Sequence, residues 1–124
     1  MLDRSTPIAF VATADAAAAQ RFYGGVLGLE LVGDDPFALV FRLAGTVLRV
    51  QKVERVAPQP FTVLGWRVDD LDALLDELAR RGVRCERWPG LEQDARGAWT
   101  APSGARVAWF KDPDGNVLSL TRFA

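Results

Sequence analysis

Residues 45–50 read GTVLRV, and the stretch returns in altered form as GNVLSL at residues 115–120. In both copies, residues that favour β-structure follow a glycine, which is the pattern of a strand that is entered from a turn. A second pair, VATAD at residues 11–15 and WRVDD at residues 66–70, stands before each of two helix-like stretches. Two recurrences in the same order predict a duplicated fold.

The first half predicts a strand, a helix and a β-hairpin. Asp15 is a suitable N-cap for an alanine-rich helix over residues 16–23, and Gly24 and Gly25 are expected to end that helix. A hairpin is expected where Ala44-Gly45 separates two apolar runs. The strands are predicted at residues 7–13, 37–43 and 46–53.

The second half repeats this order. Asp70 is expected to cap a helix whose apolar stripe recurs at helical spacing, through Leu71, Leu74, Leu75 and Leu78. Its strands are predicted at residues 62–68, 83–87, 98–101, 106–110 and 117–121. We therefore expect one domain over residues 1–124, with a first module at about residues 7–56 and a second at about residues 61–122.

The composition excludes several classes of partner. Fifteen basic and sixteen acidic residues give a net charge of −1, which offers no basic surface for nucleic acid or for anionic lipid. No apolar run approaches the roughly 18 residues that span a bilayer. The single cysteine, Cys85, cannot form an internal disulfide, which fits a reducing compartment. The expectation is a cytoplasmic protein that binds neither nucleic acid nor membrane.

Two motifs carry a family resemblance. Phe22-Tyr23 is followed by VLGL at residues 26–29, and the chain closes with FKDPDGN at residues 110–116. With the order of elements, these motifs resemble the vicinal oxygen chelate superfamily, which includes glyoxalase I, bleomycin-resistance proteins, fosfomycin-resistance proteins and extradiol dioxygenases. The resemblance runs from about Pro7 to Thr121. It implies an α+β fold of two βαβββ modules, which form curved mixed sheets around a cleft, and a homodimer.

Enzymes of the group hold a divalent metal in that cleft. Matching the flanking motifs places the four ligand positions at Ile8, Arg49, Val63 and Ser119. The family pattern has His at the first and third positions and Glu or His at the others, whereas this chain contains no histidine at all. Two apolar side chains, a cation and a hydroxyl do not replace imidazole and carboxylate ligands. We therefore expect neither a metal site nor another cofactor.

Strand alternation from these positions predicts the lining of the cleft, because every second residue of a strand faces the same way. Phe41, Trp99 and Trp109 are added as candidates to complete the cleft, although the alternation does not assign their faces. Glu92 is added from the longest loop as a residue of a lid. The predicted ligand-binding residues are Ile8, Phe10, Phe41, Arg49, Gln51, Val63, Arg67, Glu92, Trp99, Trp109 and Ser119. The alternative is that the aromatic residues are core, that Arg49 is a surface or interface charge, and that Glu92 lies in a solvated loop.

The sequence gives little support for nucleophilic catalysis or for calcium binding. Without an imidazole, Cys85, Ser103 and Ser119 have no conventional base to activate them. The sequence Asp112-x-Asp114-x-Asn116 opens like a calcium loop, but Phe123 stands where such a loop needs glutamate, so a turn is predicted.

Three functions remain open. The first is a metal-free protein of this family that binds a small, partly apolar ligand in the cleft. The second is a lyase, isomerase or dioxygenase that uses Arg49, Glu92 or Ser119 in place of histidine. The third is a structural or regulatory dimer with a vestigial cleft. No residue is assigned a catalytic role.

Overall fold

The two halves of the chain have the same sheet topology. The computed structural model describes residues 1–124. These residues form two compact units, Met1–Ala57 and Pro58–Ala124. Each unit holds one four-stranded sheet, with strand order β1-β4-β3-β2 in the first and β5-β8-β7-β6 in the second. In both sheets the first and last strands pair in parallel and the remaining pairs are antiparallel. The predicted α+β fold of two βαβββ modules is confirmed.

The first unit contains β1 (Ala9–Thr13), α1 (Ala16–Gln20), a π-helical turn (Arg21–Val26), β2 (Leu31–Asp34), β3 (Ala38–Leu43) and β4 (Thr46–Lys52). The second unit contains β5 (Thr62–Arg67), α2 (Leu71–Arg80), β6 (Trp99–Thr100), β7 (Arg106–Lys111) and β8 (Val117–Arg122). No helix of the chain has both the length and the hydropathy that crossing a membrane requires.

Both predicted helix caps are present. The Asp15 carboxylate accepts a hydrogen bond from the Ala18 N–H at 3.0 Å, and the Asp70 carboxylate accepts one from the Ala73 N–H at 3.1 Å. Each bond satisfies an amide that the first turn of a helix leaves without a partner.

The helical segment of the first unit continues past the predicted end. Gly24 and Gly25 lie inside the π-helical turn, and neither has a positive φ. The left-handed residue is Gly28, with φ of 75°, so the chain turns away only there. The expected end of the helix at the glycine pair was therefore wrong.

Two strand predictions also need correction. Residues 83–87 do not form a strand, and their backbone contributes one bond to the sheet, from the Glu86 N–H to the Trp109 carbonyl at 2.7 Å. The strand expected at residues 98–101 is reduced to β6. Conversely, β2 was not predicted, because its four residues, LVGD, include a glycine and an aspartate that β-structure disfavours.

The two cores lie on the helix-facing side of each sheet. In the second unit Leu71, Leu75 and Leu78 are buried, and α2 packs against β8. Leu74, the remaining member of the predicted stripe, is 40% exposed. In the first unit Phe41 is fully buried, with its ring centroid 6.0 Å from that of Tyr23. The placement of Phe41 in a ligand cleft was therefore wrong.

Candidate functional site

Strand register brings several predicted residues onto one face of the second sheet. Gly65, Ser119 and Trp109 are direct neighbours across β5, β8 and β7, so their side chains share a face. The next row on this face continues through Arg67, Thr121, Val107 and Trp99. Leu118 and Leu120 alternate with these residues and belong to the buried side. The face is therefore the one turned away from α2.

Three tryptophan rings form a cluster on this face. The Trp109 ring centroid lies 6.2 Å from that of Trp88 and 6.2 Å from that of Trp99. The Trp88 contact is edge-to-face, and the Trp99 contact is tilted at 35°. All three rings are partly exposed. We define the tryptophan face as Gly65, Arg67, Trp88, Trp99, Trp109 and Ser119.

Gly65 lies directly beside the Ser119 hydroxyl. A Cβ atom at Gly65 would lie 2.7 Å from the Ser119 Oγ, which is too close for any larger residue. Ser119 is only 7% exposed, and its side chain makes no hydrogen bond within the protein. A largely buried hydroxyl beside an aromatic ring can donate a hydrogen bond to a small molecule or accept one from it.

Arg67 supplies the positive charge of this face. Its guanidinium carbon lies 5.6 Å from the centre of the Phe123 ring, which is a cation–π distance. The residue is exposed and forms no ion pair, so its planar fork remains available to a polar group of a ligand.

A glutamine clamp holds Trp88 beside the sheet. The Gln93 Oε1 accepts a hydrogen bond from the Trp88 N–H at 2.8 Å. Its Nε2 donates to the Glu86 carbonyl at 2.8 Å and to the Gly97 carbonyl at 2.7 Å. One side chain thus links both ends of the loop, and Trp88 has a fixed backbone position without belonging to a strand.

Asp94 anchors the same loop. Its carboxylate accepts hydrogen bonds from the Ala98 N–H at 2.9 Å, from the Arg96 N–H at 3.0 Å and from Arg106 at 2.9 Å. Arg106 also contacts Asp72 at 3.0 Å, so the loop is tied to the start of α2. Partial burial by itself would raise the pKa of Asp94, but these hydrogen bonds outweigh it and hold the pKa below its ordinary value.

Acidification is expected to loosen this loop. Because the pKa of Asp94 is lower in the folded than in the unfolded chain, its stabilising effect is complete above the ordinary value of 3.8 and is lost as the pH falls through the lowered value. The protection factor of the Ala98 amide, which corrects hydrogen exchange for its intrinsic pH dependence, should therefore fall below pH 3.8. In Asp94→Asn this protection factor should already be low at neutral pH and should respond less to acid, and an unchanged acid response would contradict this role.

Glu92 is exposed in this loop and forms no ion pair. The bonds of Gln93 and Asp94 fix the backbone on its C-terminal side, so the segment is already ordered next to Glu92. The contact of Glu92 with a ligand stays a prediction.

The first unit has its own exposed sheet face. Phe10 pairs with Arg49 and Ala12 pairs with Gln51, so these residues share a face opposite the core. Ile8 is 51% exposed and Phe10 is 48% exposed. The Arg49 guanidinium lies 4.0 Å from the Asp35 carboxylate, at the limit of an ion pair. The predicted residues Ile8, Phe10, Arg49 and Gln51 therefore occur together within this unit.

The four positions matched to metal ligands do not fit a divalent ion. Ile8 and Val63 are apolar and exposed, Arg49 is a cation, and Ser119 offers a single neutral hydroxyl. No group of three His, Cys, Asp or Glu side chains lies close enough together elsewhere to bind a metal. Divalent ions in proteins require anionic or imidazole donors, so the side chains at these four positions do not suit such an ion.

The sequence prediction omitted Trp88 from the site. Trp88 lies outside the strands, and strand alternation therefore carries no information about it. The available signal was an aromatic residue followed by Pro89 at the start of the longest loop, which is unusual in a segment that only connects strands.

Comparison with known proteins identifies relatives of the whole chain. A family model described as the Glyoxalase/Bleomycin resistance protein/Dioxygenase superfamily matches residues 6–120. The uncharacterized protein YraH of Bacillus subtilis is 38% identical over 58 residues, which cover 47% of this chain and 39% of that protein. The match therefore spans about two fifths of the length of this curated relative.

Solved structures share the fold along nearly the full length. TnmS3, an antibiotic binding protein from Streptomyces sp. CB03234, is 28% identical with a TM-score of 0.75, covering 100% of this chain and 99% of that one. A glyoxalase/bleomycin resistance protein from Catenulispora acidiphila is 25% identical with a TM-score of 0.72, covering 96% and 98% of the two chains. A lactoylglutathione lyase from Agrobacterium tumefaciens, at 19% identity and a TM-score of 0.75 over 96% and 93%, shares the fold alone.

Proposed function

The chain belongs to the Glyoxalase/Bleomycin resistance protein/Dioxygenase superfamily, and from that membership we propose that it binds a small, planar, partly apolar molecule without a metal ion. The observation that carries the proposal is the cluster of Trp88, Trp99 and Trp109, whose central ring neighbours the Ser119 hydroxyl across β7 and β8. The proposed site is the tryptophan face of the second unit.

Aromatic clusters of this kind suit planar ligands. Indole rings bury a large area with few rotatable bonds, and they favour offset or edge-to-face contact with another ring. Trp88 and Trp99 approach Trp109 at different angles, 78° and 35°, and each retains exposed surface. A ligand ring is therefore expected to contact two indoles at once, which a single exposed tryptophan does not offer.

The polar groups of the face favour one orientation of the ligand. Ser119 offers a hydrogen bond next to Trp109, and Arg67 offers a positive charge one row further along β5. Small-molecule sites are typically apolar with a few such placed groups. We propose that the ligand presents a carbonyl or hydroxyl oxygen towards Ser119 and an electron-rich group towards Arg67.

The metal-free part of the proposal rests on donor chemistry. Histidine is absent from the sequence, and the positions that would supply ligands hold Ile8, Arg49, Val63 and Ser119. The similarity to TnmS3, an antibiotic binding protein, supports the choice of ligand binding over catalysis for a chain with this residue set.

Removing the central indole should abolish most of the binding. We expect Trp109→Ala to weaken binding of acridine, a neutral planar probe, by about 10–100-fold, which corresponds to the roughly 1–3 kcal/mol of one aromatic stacking contact. The affinity is measured by isothermal titration calorimetry, and circular dichroism checks that each variant is folded.

The matched control is Trp66→Ala. Trp66 neighbours Leu120 and Ala108 across the same sheet, on the side opposite Trp109. This variant should bind acridine like the unaltered protein. Equal losses in both variants, or none in Trp109→Ala, would place the site elsewhere.

A further inference from the structure

A groove of about 470 Å³ lies beside the helical segment of the first unit. Its lining residues come from α1, the π-helical turn, β2 and β3, and they are Ala17, Gln20, Arg21, Gly24, Gly25, Leu31 and Phe41. The tryptophan face is built entirely from the second unit and shares no residue with this groove. The volume falls within the range of small-molecule sites.

Two glycines of the π-helical turn line the groove. Neither has a positive φ, so the backbone does not require glycine at either position. A Cβ atom at Gly25 would have no neighbour within 4 Å, and one at Gly24 would make an ordinary 3.5 Å contact with the Phe41 ring. Glycine is less stable than alanine inside a helix. Glycine at Gly25 leaves open the space that a side chain would enter. In addition, π-helical turns often occur at functional sites.

The walls of the groove are apolar, and its rim carries one unbalanced charge. Ala17 and Leu31 supply the exposed apolar surface, with the buried Phe41 ring next to Gly24, while Gln20 and Arg21 are exposed. Arg21 forms no ion pair.

The carboxylates nearest to Arg21 along the chain are already engaged. Asp15 caps α1, and Glu30 accepts a hydrogen bond from Arg42 at 2.9 Å. The Arg21 guanidinium is therefore available to an anion from outside, for which its planar fork is well suited.

We propose that this groove binds a small carboxylate with an apolar body of about eight carbons. The carboxylate pairs with Arg21 and accepts a hydrogen bond from the Gln20 amide. The apolar body lies over Gly24 and Gly25, against Leu31 and Ala17. This second site is independent of the planar ligand proposed for the tryptophan face.

Octanoate is the probe for this site, and titration followed by ¹H–¹⁵N NMR measures its binding residue by residue. The amides of Gly24, Gly25 and Leu31 should shift with saturation, while amides of the second unit should not. Gly25→Leu should weaken octanoate binding more than about tenfold, because a Cβ atom at this position meets no neighbour and the larger side chain is expected to fill the groove. Gly25→Ala keeps most of the space and serves as the matched control for the loss of glycine.

The charge is tested separately. Arg21→Gln should weaken octanoate binding by about two- to fivefold, and Arg55→Gln, the same change at another exposed arginine of this unit, should leave it unaltered. Binding of 1-octanol as tightly as octanoate would overturn the carboxylate assignment. Retained affinity in Gly25→Leu, or shifts confined to the second unit, would overturn the groove itself. Trp109→Ala should not affect octanoate, so this proposal and the proposed function can fail independently.

Discussion

Gly97→Ala is expected to lower the free energy of unfolding by about 4 kcal/mol, because a backbone penalty and a steric clash coincide there. Gly97 has φ of 97°, a conformation that residues with a side chain rarely adopt. A Cβ atom at this position would lie 2.6 Å from the Cys85 Cβ and 3.4 Å from its Sγ. Urea unfolding followed by circular dichroism measures the loss.

Gly90→Ala separates the two causes. Gly90 has a similar φ of 84°, but a Cβ atom there would meet nothing within 4 Å. This variant should therefore lose only the backbone part, about 1–2 kcal/mol. Adding Cys85→Gly to Gly97→Ala should recover the steric part. Equal losses in Gly97→Ala and Gly90→Ala would contradict the clash.

Asp112→Ala is expected to lower the free energy of unfolding by about 3–4 kcal/mol, through the loss of a buried hydrogen-bonded carboxylate. Asp112 is 6% exposed and Asn116 is 7% exposed. The Asp112 carboxylate accepts bonds from the Asp114 N–H at 3.0 Å, the Asn116 N–H at 2.9 Å and the Asn116 Nδ2 at 2.8 Å. Alanine removes the acceptor of all three bonds, two of which lie inside the protein.

Asp35→Ala is the matched control for burial. Asp35 also accepts two backbone bonds in a turn, from the N–H groups of Phe37 and Ala38, but its side chain is 47% exposed. Water replaces the lost acceptor there, so the expected loss is about 1 kcal/mol. Urea unfolding measures both variants. A loss in Asp112→Ala no larger than in Asp35→Ala would show that burial of the turn contributes nothing.

Local signals predicted the elements that depend on local chemistry. Asp15 and Asp70 cap their helices because a short carboxylate reaches the free amides of the first turn, whatever the rest of the fold does. The leucine spacing of α2 likewise identified its buried side, with Leu74 as the exception.

Register explains where the site prediction failed. Phe41 was predicted to line the cleft although strand alternation did not assign its face, and the hairpin register pairs Val40 with Arg49 and Phe41 with Leu48. A shift of one residue exchanges the two faces of a strand, and the sequence of β3 does not specify that register by itself. Phe41 consequently lies in the core.

Side-chain hydrogen bonds within the loop explain the remaining errors. Residues 83–87 were predicted as a strand, but Gln93 bonds to Glu86, Trp88 and Gly97 and holds this segment as an ordered loop. Such side-chain contacts have no periodic signature. They also place Trp88 beside Trp109, which no local pattern predicted.

The central claim is that this chain binds a planar small molecule without a divalent metal, and acridine calorimetry with and without metal tests it most directly. Protein dialysed against a chelator should bind acridine with the same Kd, within about twofold, as protein supplied with Mn²⁺, Ni²⁺ or Zn²⁺, and titration with each ion alone should give no saturable heat. Stoichiometric binding of one of these ions, with acridine affinity that depends on it, would contradict the account.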